Sequence, residues 1–209
     1  MRTLALVLAG VLGGCVAPPA PRAIAIVEPP PIERTWRDSA SDEDAALIDA
    51  LDTAWTRALA ASARRGRAVI ATEGALLDRS TALGHHELSP GSYTCRAVRL
   101  DASGARAFPE QFCFVKGEPD GRLSFNKQTG SDLPNGWLFL DGDRRYIFLG
   151  AQQRRAGENN LGYGVDRTAD RVGVIERIGP FRWRLAMPRR DGSFWVYELT
   201  PVPAERQPG

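Results

Sequence analysis

From residue 92 onward the chain alternates apolar and polar residues in eight short runs, and this constrains its fold more than any other feature. The runs cover 93–100, 111–116, 122–127, 136–140, 145–150, 171–178, 182–187 and 194–200. A period of two places successive side chains on opposite faces of a strand, so each run has one face to bury. Turn residues separate most of them: Ser103-Gly104, Pro119-Asp120-Gly121, Pro134-Asn135-Gly136, Asp141-Gly142-Asp143, Gly179-Pro180 and Asp191-Gly192. Eight antiparallel strands with short connections predict an up-and-down, lipocalin-like barrel, or a sandwich of the same strands. One connection is long: 152–170 carries Gly157, Asn159, Asn160, Gly162 and Gly164. Long loops in compact domains are commonly functional or mobile.

Before the strands the period changes. Leu47, Ile48, Leu51, Trp55, Ala58 and Leu59 share one face of a helix predicted over 42–65. Ser41 is its N-cap, with Asp44 in capping-box position and Asp42 and Glu43 facing the positive end of the dipole. Arg64 and Arg65 fill the last turn, and Gly66 reads as the stop. Val69, Ile70, Leu76 and Leu77 suit a second helix over 67–78, which Gly74 weakens. The expected class is α+β, mainly antiparallel β, with one or two N-terminal helices. The expected domain is 38–203, helical over 38–80 and β over 92–201, followed by a disordered tail, 204–209.

The N-terminus reads differently again. Met1-Arg2 precedes an apolar run from Leu4 to Leu12 and then Gly13-Gly14-Cys15. A charged start, a short apolar stretch and small residues at its end mark a signal peptide, here 1–14. The run is shorter than the roughly 20 residues that span a bilayer. Leu12-Gly13-Gly14-Cys15 resembles the lipobox of bacterial lipoproteins, which implies lipidation of Cys15 and a membrane anchor on the periplasmic side of the cell envelope. Val16, where Asp would retain such a protein at the inner membrane, resembles the outer-membrane pattern. Pro18, Pro19, Pro21, Pro29, Pro30 and Pro31 make 15–37 a lipidated, extended tether.

With Cys15 assigned to lipid, Cys95 and Cys113 remain, and an exported pair reads as a disulfide. Their midpoint is Gly104, in a turn signal, so a hairpin turning there sets them directly opposite, within bridging distance. A loop of this size contributes about 3 kcal/mol in the chain-entropy model. Residues 1–14 hold one of the 27 basic side chains and no acid, which leaves 26 basic against 25 acidic. That balance argues against nucleic-acid binding.

Sets of residues able to do chemistry are few. His85-His86-Glu87 is the sole histidine cluster, but neighbouring side chains seldom face one metal, and a solvated loop is expected. Ser80, Ser89 and Ser131 lack a nucleophile elbow. Asp141-Gly142-Asp143 reads as a hairpin turn, without the alternating acids of a calcium loop. Glu176 and Glu198 sit on strands and are more simply paired with Arg177, Arg182 or Arg184 than catalytic. Small and hydroxylic residues let a backbone approach a ligand, so candidate binding loops are Thr129, Gly130, Ser131 and Asp132, with Arg154, Arg155, Asn159, Asn160 and Tyr163 of the long connection. No catalytic residue, metal site or cofactor is assigned.

Several blocks together resemble one family. They are Pro90-Gly91-Ser92-Tyr93-Thr94-Cys95-Arg96, Phe112-Cys113-Phe114, Lys127-Gln128-Thr129-Gly130-Ser131, Tyr146-Ile147-Phe148-Leu149-Gly150 and Tyr163-Gly164. The clearest is Val172-Gly173-Val174-Ile175-Glu176-Arg177-Ile178-Gly179, continuing to Trp183-Arg184-Leu185 and Glu198-Leu199. Over about 36–203 the chain resembles the uncharacterised domain-of-unknown-function family numbered 4893. That resemblance implies an exported α+β domain of alphaproteobacteria and no known activity. Asp132 departs from it, since the family more often has a polar amide there, followed by Arg.

The leading expectation is a non-enzymatic envelope lipoprotein whose barrel binds a small apolar or amphipathic ligand. A surface interaction or inhibitor module for an envelope protein, acting through the 152–170 loop, is the first alternative. A hydrolase using Glu176 or Glu198 is the second.

Overall fold

Alternation along the strands produces two separate cores. A computed structural model describes residues 35–158 and 162–206; the expected signal peptide, Cys15 and most of the tether lie outside them, as do Asn159, Asn160 and the last three residues. The strands are β1 Gly91–Asp101, β2 Gly104–Ala107, β3 Gln111–Gly117, β4 Leu123–Lys127, β5 Pro134–Asp141, β6 Arg145–Gln152, β7 Asp170–Gly179, β8 Arg182–Pro188 and β9 Phe194–Pro201. All neighbours are antiparallel, and β1 pairs with β9, which closes an eight-stranded up-and-down barrel. All eight predicted strands are present. The ninth, β2, is an addition that pairs only with the far half of β1.

Inward residues fill the barrel. Tyr93, Cys95, Cys113, Phe125, Leu138, Phe148, Ile175, Trp183, Leu185 and Tyr197 form one buried cluster. Phe125 and Phe148 meet edge to face, as do Tyr93 and Trp183. An enclosed lipocalin-type cavity along the axis is therefore replaced by packed side chains. The outward phase of β1, β6, β7, β8 and β9 forms the second core, with Val98, Ile147, Val174 and Val196 against Ile48, Leu51 and Trp55 of the helical layer.

That layer corrects the helix assignments. The predicted 42–65 helix is two, α1 Asp42–Asp49 and α2 Leu51–Glu73, broken at Ala50. Ser41 does cap α1, its hydroxyl accepting from the Asp44 amide at 3.3 Å. Gly66 does not stop the helix. It lies buried inside α2, where a Cβ would come within 2.3 Å of the Ala105 nitrogen on β2. The second predicted helix is the end of α2 followed by a 3-10 turn, Gly74–Leu76. The tether boundary moves as well: Trp36 is 3% exposed in the outer core, and its indole donates to Asp141 at 3.1 Å. At the other terminus Ala204–Arg206 form a 3-10 turn where a disordered tail was expected.

The disulfide is present, with Cα atoms 5.9 Å apart, but the two cysteines are not opposite one another. Cys95 pairs with Gln111 and Cys113 with Tyr93, so the bridge runs diagonally inside the barrel. The hairpin turns at Ala102-Ser103, ahead of the expected Gly104, and the register advances by one residue between the β1–β2 and β1–β3 pairings, which leaves Cys113 two residues beyond the position opposite Cys95.

Tyr93 marks the closed end. Its hydroxyl donates to the Ser89 carbonyl at 2.6 Å, and burial pushes the phenol up to about 12. An acid whose native value is raised gives stability below its unfolded value near 10 and loses it as pH rises through the native one. Tyr93→Phe is expected to cost about 1 kcal/mol at neutral pH. It should also flatten the alkaline loss between pH 10 and 12, which runs to about 1.4 kcal/mol per unit. Tyr146 shares the direction, so some slope survives. Urea melts across that range check this; an unchanged slope contradicts it.

Candidate functional site

Antiparallel order sends alternate loops to the same end of the barrel. The 128–133, 153–169 and 189–193 connections and the 102–110 excursion gather at one mouth. The opposite end is closed by residues 82–90: Leu88 enters the inner core, and the His86 carbonyl accepts from the Trp183 indole at 2.8 Å. The two candidate loops, 129–132 and 152–170, are thus brought to the same end.

The mouth holds a pocket of about 160 Å³ lined by Phe108, Gln111, Lys127, Asp132, Trp195 and Tyr197, with Gly130 and Ser131 on its rim. Lys127 comes from the inward phase of β4, two residues after the core Phe125. It is 4% exposed, its ammonium donates to the Thr129 carbonyl at 2.5 Å, and burial lowers its proton affinity while Asp132 opposes this. Gly130 adopts φ 90°, and a Cβ there would lie 2.8 Å from the Lys127 nitrogen, so the bare backbone permits the amine to fold in beneath the loop. Thr129 itself is tied back, its hydroxyl accepting from the Phe112 amide at 2.9 Å.

Burial pushes the Asp132 carboxyl up to about 6 against the pull of Arg171 and Lys127. Arg189 Nη2 lies 3.1 Å from both Asp132 oxygens. One nitrogen serving both is weaker than a two-nitrogen fork. Four donors near this end lack a hydrogen-bond partner among the described residues: Arg171 Nε, Arg189 Nε and Nη1, and the Tyr197 hydroxyl. Each is a buried polar atom that calls for a physical account. The apolar wall is a row of near-parallel rings: Phe108 and Trp195 at 5.2 Å, then Trp195 and Tyr197 at 6.1 Å.

Other candidates fall elsewhere. Tyr163 is used structurally, its hydroxyl donating to Asp44 at 2.6 Å and accepting from the Ser41 amide at 3.0 Å. That pins the long connection to the start of α1. Arg154 and Arg155 are exposed on it, away from the pocket lining. Glu176 and Glu198 face outward and are paired, Glu176 with Arg79 and Arg184, Glu198 with Arg96 and Arg182. Asp141-Gly142-Asp143 forms the β5–β6 turn. His86 packs edge-on against Tyr146, and among the described residues no cluster of three or more metal-ligating side chains occurs. No described helix is long and apolar enough to cross a membrane.

Sequence reasoning found the 129–132 loop but missed Lys127, Tyr197, Trp195 and Arg189. Lys127 had a signal: one of two lysines in an arginine-rich chain, it continues the inward alternation of Phe125.

A buried ammonium without a carboxylate within ion-pair distance among the described residues opposes folding. Lys127→Met is therefore expected to stabilise the domain by about 1–2 kcal/mol at neutral pH. The amine's native value is lowered, so the penalty exists while it is protonated and fades as pH approaches its ordinary value of 10.5. Denaturant melts at neutral and alkaline pH check this, and a destabilised variant contradicts it.

Comparison with known proteins matches residues 36–199 to the model of a family described as "Domain of unknown function (DUF4893)". No curated protein matches.

Proposed function

The chain belongs to the DUF4893 family, and on that premise we propose that it is a lipid-anchored protein of the cell envelope whose barrel mouth binds a small amphipathic ligand without transforming it. One observation carries the ligand reading: a single pocket unites an aromatic wall with a buried lysine and an unpartnered buried hydroxyl. Pockets of that composition, apolar with a few convergent polar groups, are the usual form of a small-molecule site. The pocket's volume, near the roughly 150 Å³ that accommodates one benzene ring, restricts the ligand to about one ring or a short chain. A purely apolar ligand would leave Lys127 and the Tyr197 hydroxyl unsatisfied, which favours an amphipathic one. Leu12-Gly13-Gly14-Cys15 supports the anchor and Val16 the outer membrane, while the Cys95–Cys113 bridge suits an oxidising compartment.

Native mass spectrometry on the full chain, released gently from its host's membranes, tests the reading. A reproducible added mass, lost on denaturation and absent from Trp195→Ala, is expected. A clean chain mass in the wild type, with no membrane association, would overturn it.

A further inference from the structure

Resting on that reading, we infer that the ligand of the barrel mouth is a small monocarboxylic acid, its carboxylate seated between the Lys127 ammonium and the Tyr197 hydroxyl. The argument starts from charge. Lys127 is 4% exposed and spends one donor on the Thr129 carbonyl. Among the described residues no carboxylate lies within 4.0 Å of its nitrogen. Buried charges are paired in stable structures, because an unpaired one retains its full desolvation penalty. Asp132, the acid that shares the pocket, is engaged by Arg189.

Tyr197 is the second, independent observation. It is fully buried, lines the same pocket, and its hydroxyl has no hydrogen-bond partner among the described residues. A carboxylate supplies what both groups lack: one negative charge and two oxygens with accepting lone pairs. Among the described residues Lys127 is the one cation in the pocket lining, which suits a monoanion. A phosphate would bring more charge than Lys127 balances, and the pocket lining contains no guanidinium fork and no helix start to receive it. Phe108, Pro109, Ala97 and Trp195 supply an apolar surface for the remainder of the molecule. The charged groups around the seat are Lys127 on β4, Asp132 on the β4–β5 loop, Arg171 on β7 and Arg189 after β8. Arg189 offsets Asp132, and Arg171, outside the pocket lining, leaves the surroundings net positive, which favours an anion at Lys127.

The test uses the full chain and two matched pairs of probes, benzoate with benzamide and hexanoate with hexanamide, followed by calorimetry and tryptophan fluorescence. Each acid is expected to bind at least about tenfold more tightly than its amide. Lys127→Met should bring the acid down to the amide, and Tyr197→Phe should weaken it about fivefold. Lys116→Met, on an exposed lysine, should change nothing. Because Lys127→Met is expected to be more stable than the wild type, loss of binding there is not loss of fold. Equal binding of acid and amide, or acid binding unchanged in Lys127→Met, overturns the inference while leaving the mouth as a ligand site. If no probe binds, the resident mass decides: a molecule with a carboxylic acid supports the inference, one without it refutes it, and a clean chain mass removes both readings.

Discussion

Replacing Glu176 by alanine is expected to destabilise the domain by about 4 kcal/mol, the largest single effect foreseen. Glu176 Oε2 accepts from Arg79 and from Arg184, whose Nε and Nη2 lie at 3.0 and 2.9 Å. Arg184 is fully buried. Its remaining donors reach the carbonyls of Asp78 at 2.5 Å and Arg79 at 3.2 Å, and its guanidinium lies 5.0 Å from the centre of the Trp55 ring. One side chain on β8 therefore ties the outer face of the barrel to the segment that follows α2. Burial already lowers the proton affinity of Arg184, and Glu176 is the first group opposing that. Without the carboxylate, a guanidinium remains buried with neutral acceptors alone, the situation that costs 3–5 kcal/mol in other proteins. The double variant Glu176→Leu with Arg184→Met removes both charges and should lose less than the single one, since the pair is then replaced by apolar packing. Guanidinium melts of all three proteins check this. A loss below about 1 kcal/mol for Glu176→Ala, or a double variant worse than the single, contradicts it. The same geometry weighs against Glu176 as an acid or base, because two arginines converge on its Oε2 and hold it as an ion-paired carboxylate.

Legibility in the sequence followed how locally each feature is encoded. The eight barrel strands are visible because period-two alternation is a property of the strand itself, and each predicted run lies inside or within a residue or two of the observed strand. Strand β2 was missed because Gly104–Ala107 is four residues long and alternates little; it exists because α2 covers it and β1 offers it an edge. The break at Ala50 carries neither Gly nor Pro, so nothing local marks it. Pairing Cys95 with Cys113 was readable from their number and spacing, but their diagonal offset was not, since it depends on a turn at 102–103 and on one residue gained between β2 and β3. For the site, Gly130 and Asp132 announce a loop able to meet a ligand. Lys127 is more than sixty residues from Arg189 and Tyr197 and meets them only through closure of the barrel, which no short motif encodes.

Gly66 offers a test in which local and tertiary reasoning predict opposite signs. By helix propensity alone, Gly66→Ala inside α2 should stabilise by about 1 kcal/mol. The structure predicts a loss of about 3 kcal/mol instead. The buried stripe of α2 runs Leu51, Trp55, Ala58, Ser62, Gly66, from large to small, so the helix closes on the sheet toward its C-terminal half. At Ser62 the hydroxyl already donates to the Asp101 carbonyl at 3.2 Å. At Gly66 a new Cβ would lie 2.3 Å from the Ala105 nitrogen and 2.9 Å from its Cα. These are backbone atoms of a strand hydrogen-bonded to β1, so no side-chain rotation relieves the overlap; the helix must lift or β2 must leave its partner. Either movement disturbs the turn at Gly104, where a Cβ would itself sit 3.1 Å from Arg65. A melt in which Gly66→Ala is as stable as the wild type, or more so, would mean that α2 and β2 do not touch as described. A destabilised variant with unchanged amide-exchange protection in α1 and lost protection in β2 would place the damage at this contact.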